Sequence, residues 1–340
     1  MSYPTLWTIG FIALFTGYLT LAGTNYGVGS TLLFTARGDR ERRQVLGGLG
    51  PFLLVNESWL LVSLGILVGT MPGLETQLLV GTAPFALLAM TGALVLTSAV
   101  MLRSRHPEAT VRRRWDGVIC AAGAAAAFGW GAFLVAVAGS LDLDGSGHVL
   151  GSGAAFTPYA LLGGVSAVAL LGAHGCAFTA ARTTGAVAAR ATVLARRLCG
   201  VGCLLVALTG LASWVGGHTD GAALHRPALA LLLLALAVLA LPPAVRALSA
   251  GQPWRAYAAT AVAVGLAPVA VFAAKYPYLA TPARSGVRAV AVQDLAADST
   301  ALALITWTAG PVLVLVIAVQ LWMWWLLRAP ADRSTAPAFH

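Results

Sequence analysis

Nine long apolar stretches are separated by linkers whose arginines fall almost entirely on alternate sides of the chain. A hydrocarbon core about 30 Å thick needs roughly 20 apolar residues in a helix to span it. Such spans lie near 6–26, 46–69, 76–101, 116–139, 156–180, 194–215, 227–245, 256–274 and 301–326. The fold class that follows is all-α: a polytopic membrane protein of nine transmembrane helices. Residues 1–330 are expected to form a single membrane domain, and 331–340 a short cytoplasmic tail.

Orientation comes from counting basic residues linker by linker. The linkers after spans one, three, five and seven and the C-terminal tail carry 17 of the 21 basic residues, among them Arg37, Arg40, Arg42, Arg43, Arg103, Arg105, Arg112, Arg113 and Arg114. The other side has Arg226, Lys275, Arg284 and Arg288, and its 140–155 linker is acidic through Asp142 and Asp144. The positive-inside rule then puts the N-terminus outside and the C-terminus in the cytoplasm. Such an arrangement requires an odd number of spans, in agreement with nine.

Composition narrows the function classes. With 59% hydrophobic and 10% charged residues and no long polar segment, the chain leaves no room for a soluble catalytic domain. The net charge of +9 sits at helix ends facing anionic lipid, so no nucleic-acid partner is expected. Twenty arginines against the single Lys275, with heavy alanine and glycine use, point to GC-rich coding and a bacterial source. The uncharged start, Met1 to Pro4, and the length of the first apolar run do not match a cleavable signal, so span one is expected to be retained.

Motifs of soluble enzymes are absent. Gly27-Val28-Gly29 and Gly47-Gly48-Leu49-Gly50 follow no strand and are read as turn and helix-packing glycines. Cys120, Cys176, Cys199 and Cys203 fall inside spans as small packing residues, and although Cys199 and Cys203 share a helix face, no neighbour completes a metal set.

Polar groups at membrane depth carry what chemistry there is. Asn56, Glu57, Ser58 and Trp59 lie about ten residues into span two. A carboxylate there must point into the protein, find a partner or hold its proton, which makes Glu57 a candidate proton relay. Its alternative is a protonated acid that hydrogen-bonds a neighbouring helix. Asn25 is placed at the inner end of span one, and Asp116 at the opening of span four, where it reads as a cap paired with arginine. His174 in span five reads as an interhelical hydrogen-bonder rather than a haem ligand. Trp322, Trp324 and Trp325 read as an aromatic belt at the inner interface.

An ordered series of motifs resembles subunit II of cytochrome bd quinol oxidase. It runs from Gly23-Thr24-Asn25-Tyr26-Gly27-Val28-Gly29 through Arg37-Gly38-Asp39-Arg40-Glu41-Arg42-Arg43 to Gly50-Pro51 and Asn56-Glu57-Ser58-Trp59-Leu60. Arg114-Trp115-Asp116, Pro158-Tyr159-Ala160-Leu161-Leu162-Gly163-Gly164 and Tyr276-Pro277-Tyr278-Leu279 follow in order. The resemblance covers essentially the whole chain. It implies a membrane-embedded heterodimer in the bacterial plasma membrane, in which quinol is oxidised and oxygen reduced to water. The haems would belong to the partner, subunit I, and no cofactor would bind this chain directly beyond a structural quinone or lipid. Subunit II would be scaffold and would help line a proton path.

Two departures bear on that path. The family usually has Asp where this chain has Asn25, and a Trp-Asp-Gly run where it has Leu53-Leu54-Val55. Leucine cannot relay a proton. Either Glu57, about 4.5 Å of helix rise deeper than Leu54, takes over, or the subunit is purely structural. A proton-coupled secondary transporter is the reading from a different class, since such proteins are also helix bundles with sparse intramembrane acids.

Overall fold

A computed structural model describes residues 2–144, 146, 148–219, 224–282 and 289–326. The expected tail at 331–340 and the arginines 284, 288, 328 and 333 lie outside the described residues. Nine of the described helices are long and apolar enough to cross a membrane. In chain order the helices are α1 (Tyr3–Thr35), α2 (Asp39–Thr70), α3 (Pro72–Gly81), α4 (Ala83–Arg103), α5 (Ala109–Ala138), α6 (Pro158–Arg182), α7 (Gly185–Thr219), α8 (Pro227–Ser249), α9 (Pro253–Lys275), α10 (Val292–Leu295) and α11 (Ser299–Leu326). A small antiparallel hairpin, β1 (Asp142–Leu143) with β2 (Val149–Gly151), fills the linker between α5 and α6.

Two of these boundaries depart from expectation. The third span divides into α3 and α4 at Thr82, because Pro84 has no N–H for the carbonyl of Val80 and its ring crowds that carbonyl. The helices also outrun the apolar windows. Helix α1 continues to Thr35, its hydroxyls turned back onto the helix, with Thr31 donating to Gly27 O at 2.6 Å and Thr35 to Thr31 O at 3.1 Å. Helix α2 starts at Asp39, where Asp39 and Glu41 complement the N-terminal dipole. Asn25 is therefore ten residues short of the end of α1, well inside the bundle rather than at its inner edge.

Helix α1 is the axis. It packs on α2, α5, α6 and α9, and it does so at backbone distance. A Cβ on Gly27 would lie 1.9 Å from Leu171 O, and one on Gly175 would lie 2.2 Å from the carbonyl carbon of Gly27. On the α5 side, a Cβ on Gly123 would lie 2.7 Å from Ser30 N. Gly27 and Gly29 are thus helix-packing residues within α1, and the turn expected around them does not exist. Close approach of this kind suits a membrane bundle, where association rests on van der Waals packing rather than on escape from water. Helix α11 is the opposite case, with only Leu302 and Gln320 buried along its length.

Replacing Gly27 by alanine should force α1 and α6 apart, since backbone rather than a flexible side chain occupies the space. We expect at least the 1–3 kcal/mol typical of overpacking, read as a lower melting temperature of the detergent-solubilised protein. Gly38→Ala, at a glycine with open space around it, should change little.

Candidate functional site

The expected polar residues of α1 and α2 come together in one network. Asn25 Nδ2 donates to Glu57 Oε1 at 3.0 Å and to Leu53 O at 3.1 Å. Asn56 Nδ2 donates to Asn25 Oδ1 at 3.0 Å and to Leu21 O at 2.9 Å. Tyr26 donates its hydroxyl proton to Glu57 Oε2 at 2.9 Å. Asn25 and Asn56 are fully buried and Glu57 half-buried. Glu57 joins no ion pair among the described residues; neutral donors alone hold its two oxygens. Asn56 Oδ1, in contrast, is buried without a hydrogen-bond partner.

Leu54 is 57% exposed, so position 54 faces away from the bundle. An acid in its place would stand on the outer face of this chain, one helical turn from Glu57.

A second buried network surrounds His174. Its Nδ1 meets Thr260 Oγ1 at 2.8 Å, and its Nε2 meets Thr24 Oγ1 and Thr20 O, each at 3.1 Å. Tyr257 stacks on the ring at 4.4 Å and shares its hydroxyl with Thr24 at 2.8 Å. Both ring nitrogens are engaged and one ring face is covered, so that His174 joins α6 to α1 and α9. Its place is that of an interhelical tie.

Asp116 is not a helix cap. Helix α5 begins seven residues earlier, with Glu108 at its N-cap, because the arginine-rich segment preceding Asp116 is helical and folds onto the bundle. Asp116 pairs instead with Arg103 Nε at 2.5 Å and with Arg42 Nη1 at 2.8 Å. Arg103 Nη2 also reaches Asp39 at 2.8 Å, and Arg112 Nε reaches the same oxygen at 3.0 Å. Glu41 and Arg190 form a further pair, and Arg190 Nε caps Thr35 O at 2.8 Å. Helices α1, α2, α4, α5 and α7 are fastened together at this end.

The remaining motif residues serve packing. Trp59 lies on Gly17 of α1, Trp115 stacks with His106, and Pro158 opens α6 behind Thr157, whose hydroxyl accepts from Ala160 N at 3.0 Å. Gly23 faces Leu171, Gly29 faces Leu96, Pro51 lies within α2, and Pro277 follows α9. Of the supposed aromatic belt, Trp322 and Trp325 are exposed, whereas Trp324 turns inward onto Phe52 at 4.4 Å and Tyr257 at 5.7 Å. An apolar cleft of about 90 Å³ lies among α5, α6, α7, α8 and α9, with Tyr159, Leu134, Leu170 and Leu234 in its walls.

Three functional or structural groups escaped the sequence reading. Tyr18 and Trp130 extend the Glu57 network, and in an apolar span an aromatic residue carries no sign that its polar tip is used. Lys275, counted above as a linker charge, is fully buried: its Nζ donates to Val137 O at 2.7 Å, Gly139 O at 2.6 Å and Thr281 Oγ1 at 2.9 Å. Its position directly before Tyr276-Pro277, at the end of an apolar run, was the available signal.

Comparison with known proteins bears on the whole chain. The profile of the family described as cytochrome bd terminal oxidase subunit II matches residues 3–327. Cytochrome bd ubiquinol oxidase subunit 2 of Bacillus subtilis (strain 168) is 25% identical over 331 residues, covering 96% of both chains. Cytochrome bd-I ubiquinol oxidase subunit 2 of Escherichia coli (strain K12) is 24% identical over 234 residues, 64% of this chain and 58% of that one. In fold, a chain of the bd oxidase from Geobacillus thermodenitrificans superposes with a TM-score of 0.73 at 17% identity, over 96% of this chain and 99% of that one.

The Asp116 cluster generates a stability prediction. Asp116→Asn leaves Arg103, 1% exposed, without its closest anion. Breaking a buried pair from one side costs about 3–5 kcal/mol, so the variant should lose most of its folded yield in detergent. Asp144→Asn, at a half-buried loop acid whose pKa is held low by hydrogen bonds from Ser146 and His148, should leave yield unchanged.

Proposed function

Because the chain belongs to the cytochrome bd terminal oxidase subunit II family, we propose that it is the non-haem half of a heterodimer whose haem-bearing subunit I oxidises quinol and reduces oxygen. Membership makes it a multi-pass membrane subunit of a quinol oxidase. The transporter reading is not favoured, since family and fold account for nearly the full length. The geometry of His174 supports haem ligation by the partner. Residues 1–330 would form one domain of the bacterial plasma membrane, with the N-terminus outside and the C-terminus in the cytoplasm. The apolar cleft beside Tyr159 suits a lipid chain or the tail of a structural quinone.

Within that assembly Glu57 delivers protons drawn from the cytoplasm. The observation that carries this reading is a carboxyl group deep in the bundle, half-buried, with neutral hydrogen-bond donors on both oxygens and no cation paired with it among the described residues. Such a group can take up and release a proton without breaking an ion pair. Asn25 and Asn56 hold it in place. Protons would then travel along the face where Leu54 is exposed, between this subunit and its partner.

Glu57→Gln keeps size and hydrogen-bonding capacity while removing the titrating proton. In the purified complex it should leave assembly and haem content intact and slow oxygen reduction by quinol at least tenfold, about 1.4 kcal/mol in the barrier. Leu54→Asp in the same background should restore part of the rate. Unchanged turnover in Glu57→Gln would leave the subunit as scaffold only, and a folded chain that purifies alone, without a haem-bearing partner, would count against the oxidase assembly.

Orientation has its own test. Reporters inserted at Gly38, Arg105, Thr183 and Gly251 should read cytoplasm, and those at Asp142 and Tyr278 should read the outside.

A further inference from the structure

Of the two residues that α11 buries, Leu302 and Gln320, only the second has polar atoms in its side chain. An amide is costly to turn away from water without a partner. Yet Gln320 is 4% exposed, and its Nε2 has no hydrogen-bond partner among the described residues. Asn56 of α2, 0% exposed, is in the same position through its Oδ1. Its amide cannot turn round, because Nδ2 donates to Leu21 O at 2.9 Å and to Asn25 Oδ1 at 3.0 Å, and a backbone carbonyl only accepts.

The register of α2 against α11 sets these two residues level. The rings of Phe52 and Trp324 meet at 4.4 Å, and a Cβ on Gly69 would lie 3.6 Å from Ile305 Cδ1. The two helices are therefore antiparallel. One turn from the first contact toward the second leads to Asn56 on α2 and to Gln320 on α11. Helix α1, which runs parallel to α11, gives the same depth. Trp7 Nε1 donates to Thr306 Oγ1 at 3.0 Å. A step of about 14 residues, roughly 21 Å of rise, leads from Trp7 to Leu21 and from Thr306 to Gln320, and Leu21 O is the carbonyl that holds the Asn56 amide.

A donor and an acceptor thus lie level on facing helices, and no hydrogen bond joins them. The helices do not close on each other here. Next to this layer they enclose a groove of about 370 Å³, with Val62, Gly65, Val312 and Val316 in its walls. Trp59 Nε1, one turn along α2, and Trp324 Nε1, one turn along α11, are also buried without partners among the described residues. Of these four atoms three are donors and one is an acceptor, so bringing the helices together would still leave N–H groups over. A small molecule that both accepts and donates resolves the mismatch. Water does both, and a buried water is stable where roughly two to four polar groups receive it.

We propose that the seam between α2 and α11 is a hydration site, in which an ordered water accepts from Gln320 Nε2 and donates to Asn56 Oδ1. Trp59 Nε1 and Trp324 Nε1 extend the site by one turn toward either end of the bundle. The water ties the last helix to the interior at a second polar point, beside the bond from Trp7 to Thr306. It also completes the hydrogen bonding of Asn56, whose amide holds Asn25 against Glu57. The site stands whether or not Glu57 relays protons.

Gln320→Met tests this by the sign of its effect, since methionine keeps the length and flexibility of glutamine and has no N–H. With water bridging the two amides, the substitution leaves Asn56 Oδ1 without a donor, and the melting temperature of the purified protein in detergent should fall by several degrees. An amide that bonds nothing is better replaced by a thioether, so an unchanged or raised melting temperature overturns the proposal. A cryo-electron microscopy map of the unaltered protein, at a resolution that shows ordered water, is the second measurement and serves even if Gln320→Met does not assemble. It should show a water oxygen within hydrogen-bond distance of both Asn56 Oδ1 and Gln320 Nε2. A direct bond between the two amides, an organic molecule in the seam, or no density between them overturns the site.

Discussion

Hydrocarbon offers no partner to a polar group, and that constraint organises the molecule around α1. Its polar residues point to three different neighbours: Thr24 to α6 and α9, Asn25 to α2, and Tyr26 to both α2 and its own Tyr18. The glycines at 27, 123 and 175 bring α5 and α6 onto the backbone of α1, and the bond between Thr24 of α1 and His174 of α6 lies beside that close contact. Packing without side chains and hydrogen bonding between side chains are here one device.

Charge is treated differently at the two ends of the bundle. On the arginine-rich side, Arg103, Arg42 and Arg112 are drawn inward by Asp39 and Asp116 and join three helices, α2, α4 and α5. On the other side Lys275 pairs with no acid among the described residues. It spends its three protons on two carbonyls at the C-terminus of α5 and on Thr281, where the helix leaves acceptors unsatisfied and its dipole favours a cation. A count of basic residues treats all of these as surface charges, yet several are internal fasteners. Helix ends are where such fasteners are needed, so they add to the same count.

Hydropathy made the helices legible, since spanning lipid demands long apolar runs whatever their contacts. It could not place their ends. The stretches at 27–35 and 39–45 are helical because their polar side chains bond within the helix or to the next one, which no apolar window registers. The same blind spot set Asn25 too near the surface and made Asp116 a cap. At the site, Asn25, Asn56 and Glu57 were readable because polar residues at depth are rare. Tyr18 and Trp130 were not, because each is mostly ring and looks like packing until its neighbour is known.

The two departures from the family pattern acquire a physical sense in this arrangement. Asn25 Nδ2 lies 3.0 Å from Glu57 Oε1. An aspartate at position 25 would set a second carboxyl at hydrogen-bond distance from the first, and two such groups cannot both ionise in a site without a cation. Asparagine removes that competition and offers two protons, one to Leu53 O and one to Glu57. Its carbonyl in turn accepts from Asn56, and the unmatched group of the triad is Asn56 Oδ1. The pair of positions therefore retains one exchangeable proton where a pair of acids would share one. Leu54, on the outer face, removes an acid from the surface rather than from the network, and the geometry around Glu57 does not depend on it.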